Sequence, residues 1–445
     1  MRIARPGELG EREIEAWRGL RAKSGAPANP FMEPEFTLAV GAVRPRSRVA
    51  VWWEDGEPVG FFPYEKGPLG RGRAIGFGVS DSQGGIFRPG LRPGTQALLR
   101  ACGLVFWEYD NLETGQPVFE GAADESFASP VIDVGEGYPA YEALLRVQSP
   151  KFLRTTLAKD RRLARQADGE VRFVFDERDP AALRTLMEWK SAQYRRTGRG
   201  DRFAQDWIST LVRRLHAQRA PGCSGVLSVL YVGDRPVAAH FGLRSETVLS
   251  CWFPAYDPEF AKYSPGLILH LRMAAGAAEA GIGTLDLGRG AAEYKDALKT
   301  GELTVYEGAV TRPDPRTALH WLRREPVRAA HAYVRARPAL AARARAAGRS
   351  PGRRTAPWLS ETPKPMARPW PNGPFSYGKK PTGSSSSHHT ATLDRGRTSA
   401  TARVNSGSMK GFAGAPDLAL SSRHASISRA PSSSGRTVPT RQALT

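Results

Sequence analysis

Residues 226–310 decide the fold. They open with Val226-Leu227-Ser228-Val229-Leu230-Tyr231-Val232, a run of strand-forming residues. Gly233-Asp234-Arg235 follows as a turn, and Pro236-Val237-Ala238-Ala239-His240-Phe241-Gly242-Leu243 resumes strand composition. Two such runs around a glycine-containing turn predict a hairpin. A third strand is expected over 247–256, carrying Val248, Leu249, Cys251, Trp252 and Phe253. After an irregular stretch, Ser264-Pro265 marks a helix start: serine suits the capping position and proline the first helical one. Leu267, Leu271, Ala274 and Ala278 then recur at helical spacing to about residue 280, and Gly281 supplies the stop. A short strand over 284–287, a short helix over 293–299 and a last strand over 303–310 complete the stretch. The alternation defines an α/β protein.

The same plan extends outward. A strand over 171–175 and helices over 181–196 and 204–218 precede the hairpin. Further upstream, Val51-Trp52-Trp53-Glu54-Asp55-Gly56-Glu57-Pro58-Val59-Gly60-Phe61-Phe62 echoes Val229 to His240: a strand, an acidic-glycine turn, then Pro-Val and a strand. A strand over 74–79, a helix over 95–104 and a strand over 106–112 follow it, in the order seen after the second hairpin. The chain therefore reads as two halves sharing one supersecondary plan.

Length and charge bound the rest. At 445 residues the chain exceeds a single core, so two or more domains are expected. Its net charge is +20, yet residues 1–310 hold 40 Lys and Arg against 39 Asp and Glu. The basic excess lies beyond them, which argues against a nucleic-acid surface on the folded part. The boundaries read as 1–145 and 146–311 for the two halves, 312–350 for a basic helical extension, and 351–445 for a disordered tail rich in Pro, Ser, Gly and Arg. Residues 312–445 would at most touch an acidic surface weakly. The basic run Lys151, Arg154, Lys159, Arg161, Arg162 and Arg165 reads as a solvated helix face. Three cysteines, with no C-x-x-C, argue against a disulfide framework or a cysteine-rich zinc site. The charged first twenty residues predict no signal peptide, and no apolar run is long enough for a membrane span. A cytoplasmic setting is expected. No P-loop, H-E-x-x-H or G-x-S-x-G motif occurs, and no metal is expected.

Several short stretches resemble one family. Tyr256-Asp257-Pro258-Glu259-Phe260-Ala261-Lys262-Tyr263-Ser264-Pro265-Gly266 with its following helix, Leu285-Asp286-Leu287-Gly288-Arg289-Gly290, and Glu293-Tyr294-Lys295 are similar to the GNAT-related acyltransferases of the CelD-like, cellulose-biosynthesis type. Lys151-Phe152-Leu153-Arg154 and Asp160 to Arg165 resemble that family's domain start. Asn29-Pro30-Phe31 and Ser80-Asp81-Ser82-Gln83-Gly84 resemble its N-terminal half. The resemblance covers about residues 1–310. It implies two tandem GNAT-like units, each a mixed sheet flanked by helices, the second using an acyl-CoA, acetyl-CoA first, as co-substrate. The usual GNAT loop of two glycines led by Gln or Arg is absent.

The resemblance also implies site residues. Lys262, Tyr263, Ser264, Gly266 and Leu267 form a loop running into a helix N-terminus, which suits a pyrophosphate through free amides and the helix dipole. Transfer to an amine or hydroxyl needs a base and a proton donor for the departing thiolate. Asp286, Glu293 and Tyr294 are the candidates, with His240, Arg289 and Lys295 as acceptor-substrate ligands. Structural alternatives stand beside each: an Asp286–Arg289 pair, Glu293 favouring a helix dipole, a satisfied strand histidine at 240. The activity implied is an N- or O-acyltransfer onto a sugar, envelope precursor or other metabolite. The competing readings are a Fem-like transferase taking an aminoacyl group from tRNA, and a scaffold without catalysis.

Overall fold

The computed structural model describes residues 1–317, apart from 25–27, 120, 168 and 291. The basic extension beyond residue 317 and the tail over 351–445 lie outside the described residues.

The N-terminal half comprises β1 (Arg2–Ala4), α1 (Glu11–Lys23), α2 (Pro34–Val43), β2 (Ser47–Glu54), β3 (Glu57–Lys66), β4 (Arg71–Ala74), β5 (Ile86–Phe87), α3 (Thr95–Ala101), β6 (Phe106–Glu113) and β7 (Ala123–Asp133). The C-terminal half follows with α4 (Tyr138–Gln148), α5 (Pro150–Gln166), β8 (Val171–Val174), α6 (Pro180–Arg196), α7 (Asp206–Ala217), β9 (Ser224–Val232), β10 (Arg235–Arg244), β11 (Val248–Tyr256), α8 (Pro265–Glu279), β12 (Thr284–Asp286), α9 (Glu293–Leu298) and β13 (Gly301–Thr311). Among the described residues no helix is long and apolar enough to cross a membrane.

One mixed sheet unites the halves, in the order β1-β2-β3-β4-β6-β13-β7-β12-β11-β10-β9-β8, with β5 joined to β3. The two hairpins form as expected, β2 with β3 and β9 with β10, both antiparallel. Asp55 and Gly56 both adopt positive φ in the first turn, which matches the twist of the flanking strands. In each half the second hairpin strand then pairs antiparallel with a third, β4 or β11. That strand pairs in parallel with a fourth, β6 or β12. The halves diverge after this point by exchanging strands. The last strand of the chain, β13, lies between β6 and β7, and β7 pairs with β12.

The strand expected over 74–79 is corrected. Pairing stops at Ala74, and the chain enters turns in which Gly76 and Gly78 take positive φ. The Ser80 hydroxyl locks them by donating to the Ile75 and Gly76 carbonyls. Strand β7 was not expected at all, because its first half is polar and exposed.

Layering follows the period-two pattern of β9. Leu227, Val229 and Tyr231 join a core with Leu183 and Leu186 of α6 and Leu211 and Leu215 of α7. Val226, Leu230 and Val232 point the other way, to a core with Leu153 and Leu163 of α5 and Leu269 and Met273 of α8. A strand buried on both faces is apolar at nearly every position, which is why 226–232 reads as a run broken only by Ser228, whose hydroxyl donates to Phe175 O.

Candidate active site

The site begins where two parallel strands part. β11 and β12 are paired only through Val248–Thr284, Leu249–Leu285 and Ser250–Asp286. β11 continues to Tyr256, whereas β12 ends at Asp286. Along the continuing end of β11 lies a narrow cleft lined by Pro254, Ala255 and Tyr256 of β11, Gly266, Leu267, Leu269 and His270 of α8, Tyr294 of α9 and Gln193 of α6. A wider hollow bounded by Arg5, Pro6, Leu38, Gly41 and Arg214 gathers none of the buried titratable groups, so the chemistry points to the smaller cleft.

The α8 N-terminus stands at its mouth. Asp257 opens the preceding turn by accepting from the Glu259 amide. Ser264 is forced into the left-handed region (φ 51°, ψ 54°), an uncommon conformation for serine. Its hydroxyl does not cap the helix; it accepts a hydrogen bond from Lys159 Nζ at 2.6 Å. Of the three amides expected to face a pyrophosphate, that of Ser264 donates to Ala261 O and that of Leu267 to Ser264 O. No such bond engages the Gly266 amide among the described residues. Tyr263 is buried, with Arg162 over its ring at 5.8 Å and Lys262 at 4.9 Å. Two members of the α5 basic run therefore reach the α8 loop. The reading of that run as a plain solvated face is corrected for Lys159 and Arg162.

Beyond the cleft lies a buried polar cluster. Asp286 is 4 % exposed; its Oδ1 accepts from Ser129 Oγ (2.7 Å) and the Gly288 amide (2.9 Å), and its Oδ2 from Asn29 Nδ2 (3.5 Å). Burial raises its pKa, against the lowering pull of the Ser129 and Gly288 bonds and of Lys295. Lys295 is buried and donates to Gly288 O at 2.7 Å; burial lowers its pKa. The Tyr294 ring lies tilted against that of His270, centroids 5.4 Å apart, and burial raises its phenol. Arg289 does not pair with Asp286. It donates to Glu307 Oε2 at 2.7 Å and to the Asp110 carbonyl, and lies over Phe127. Glu293 is exposed at the start of α9. His240 is fully enclosed: its Nε2 accepts from the Trp252 amide, its Nδ1 has no hydrogen-bond partner among the described residues, and burial pushes its pKa well below the ordinary histidine value. The structure thus brings together Asp286, Tyr294 and Lys295 and the α8 loop. It leaves Glu293 outside and His240 behind the cleft wall.

Three groups escaped the sequence reading. His270 Nδ1 donates to Gly266 O at 2.7 Å, and burial lowers its pKa. Lys190 is buried on α6 and donates to Pro254 O at 2.9 Å; burial lowers its pKa to about 7. Asp81 comes from the N-terminal half, and burial raises its carboxyl to about 7, with Asp286 adding to the shift. Asn29 and Asp81 carried a signal only as members of resembling motifs. His270 and Lys190 carried none, since each sits singly within a helical pattern. Among the described residues there is no grouping of His, Cys, Asp and Glu that would hold a metal ion.

Residues 151–296 match a family model described as an acetyltransferase (GNAT) domain. That segment holds the hairpin, the parting strands, α8 and the start of α9, so the chain carries an acyltransferase domain of the GNAT class. A search of curated proteins finds no match. Among solved structures, FemX is similar at 12% identity and a TM-score of 0.47, over 72% of this chain and 99% of that one. A tandem GNAT protein from the clavulanic acid biosynthesis pathway is similar at 12% identity and a TM-score of 0.42, over 70% and 98%. A conserved protein from Bacteroides thetaiotaomicron gives 10% identity and a TM-score of 0.43, over 67% and 97%. At these levels they add no argument about substrate.

Proposed function

We propose that the protein is an acyl-CoA-dependent acyltransferase of the CelD-like type, with residues 146–311 as its catalytic GNAT-like unit and 1–145 as a second unit. The observation that carries the reading is the parting of β11 and β12 with the α8 N-terminus at its mouth. A flat thioester arm can lie along β11 beyond Ser250, where β12 no longer pairs with it. The pyrophosphate is received by the Gly266 amide and the helix dipole, with Lys159, Arg162 and Lys262 supplying positive charge. Tyr263, Ser264 and Leu267 shape that loop. Tyr294, kept protonated by burial, donates to the departing thiolate. Asp286 and Lys295 hold the wall behind the reacting carbonyl, and Arg289 braces the same wall from the N-terminal side. His240 supports β11 from within the sheet. Glu293 takes no step in this scheme. The acceptor is an amine or hydroxyl of a small metabolite or glycan precursor, and acetyl is the first acyl group to try.

The test is calorimetric titration of the full chain with acetyl-CoA, alongside Gly266→Glu. A carboxylate at the second helical position favours the helix dipole while repelling phosphate, so the variant folds. Saturable micromolar binding by the wild type, weakened at least tenfold in Gly266→Glu, supports the reading. Equal binding by both, or none by the wild type, refutes it.

A further inference from the structure

The N-terminal half has the same parting of parallel strands, between β4 and β6, but protein fills it. The Gln83 carboxamide oxygen accepts from the Asp110 and Asn111 amides at 2.9 and 3.1 Å, and its nitrogen donates to Asp110 Oδ1 at 2.6 Å and Ser80 Oγ at 2.9 Å. Asn111 Nδ2 donates to Ser80 O, and Ser82 to Glu113. Residues 80–83 are therefore stapled across the opening that accepts a ligand in the other half. Within this plug one side chain is left over. Asp81 is half-buried and, among the described residues, has neither a hydrogen-bond nor an ion-pair partner. Its Oδ2 lies only 3.3 Å from where a Cβ on Gly288 would stand, and Gly288 has φ +74°. A side chain at 288 would press on that carboxylate. Asp81 thus faces the loop that follows β12, beside the Cys251 carbonyl, at the point where β11 and β12 separate.

The two carboxylates of the site differ in what they can do. Asp286 already holds three donors, two on Oδ1 and one, at 3.5 Å, on Oδ2, which leaves it less acceptor capacity for a ligand. Asp81 has both oxygens available. Resting on the acyltransferase reading above, we propose that Asp81, delivered by the N-terminal half, is the base for an amino-group acceptor that enters between the halves opposite the acyl-CoA. The acceptor nitrogen forms a bond to the thioester carbonyl carbon, and the carbon–sulfur bond breaks with its electrons on sulfur. The acceptor's ammonium first gives one proton to the Asp81 carboxylate, which passes it to solvent; after the resulting amine has attacked, the surplus nitrogen proton leaves by the same carboxylate, and Tyr294, which protonates the sulfur, regains its proton from solvent. The products are an amide and free CoA. The groups whose charges act on Asp81 are Asp286 on β12, Lys295 on α9, Arg202 in the turn before α7, and Asp110 on β6; Tyr194 on α6 and Cys251 on β11 also sense it. The three aspartates make this a place for an ammonium rather than a neutral hydroxyl. A carboxyl that titrates near 7 is matched to removing a proton at neutral pH.

The test uses the full chain, Asp81→Asn, and release of free thiol from acetyl-CoA with glucosamine, ethanolamine or lysine methyl ester as acceptor. Asp81→Asn should bind acetyl-CoA within twofold of wild type by calorimetry. Its kcat should fall by about a hundredfold or more, the usual range for losing a general base. The rise of wild-type kcat/KM with pH, centred near 7, should disappear. Undiminished turnover in Asp81→Asn overturns the assignment while leaving the acyltransferase standing. Loss of acetyl-CoA binding in the variant alone overturns it in favour of a structural or cofactor-side role. Wild type that binds acetyl-CoA but releases thiol with none of these amines overturns the amine acceptor. Wild type that binds no acetyl-CoA removes the underlying acyltransferase reading itself.

Discussion

Asp81 and Lys190 show how the site is held at some cost to stability. Asp81 has a folded-state pKa of about 7 against an ordinary 3.8, so the folded chain holds an extra proton between those values. Its contribution to stability therefore falls as pH rises from about 4 to 7 and stays low above 7. Asp81→Asn is expected to raise the melting temperature at pH 8, with the gain shrinking toward pH 4; thermal melts across that range check it. Lys190 behaves in the opposite sense. Its pKa is lowered to about 7 from 10.5, so its penalty is full below 7 and is relieved as pH rises toward 10.5. Lys190→Met should gain melting temperature at pH 6 and progressively less toward pH 10. A pH-independent gain in either variant would contradict the burial argument. Lys190 does not announce itself in sequence, and Asp81 does so only as a member of a resembling motif. Asp286, Tyr294 and Lys295 were legible because they crowd into ten positions after an apolar strand. Asp81 is separated from them by about two hundred positions, and Lys190 sits in an ordinary helical pattern.

At the scale of elements, the run from β9 to β12 was readable almost residue by residue. Its strands are apolar on both faces, its hairpin turn carries Gly233, and α8 starts at Pro265 as expected. The strand expected over 74–79 failed because Gly76 and Gly78, two glycines within four residues, turn the chain instead. β7 escaped because Ala123-Asp124-Glu125-Ser126 has no buried face. The partner of a strand is still less legible, since β13 is chosen by β6 and β7 through register, not by local composition. That choice has a consequence. β7 and β13 each complete the other half's edge, so neither half closes its sheet alone. Residues 1–145 and 146–317 expressed separately should be insoluble or molten, lacking near-ultraviolet dichroism, and should regain it when co-expressed. Independent cooperative folding of either piece would contradict the exchange.

Across the whole molecule, two halves with one plan have taken different parts. The C-terminal half keeps its strands parted beside a helix N-terminus. The N-terminal half plugs the corresponding gap with Gln83 and turns the plug's remaining carboxylate toward its neighbour. The account therefore predicts one acyl-CoA site per chain, not two. The most direct measurement is hydrogen exchange by mass spectrometry with and without saturating acetyl-CoA, on protein whose binding stoichiometry is fixed by calorimetry. The expected result is one ligand per chain, with protection over residues 251–270 and 284–296 and no change over residues 95–104. Two ligands per chain, or protection centred on the N-terminal half, would contradict it.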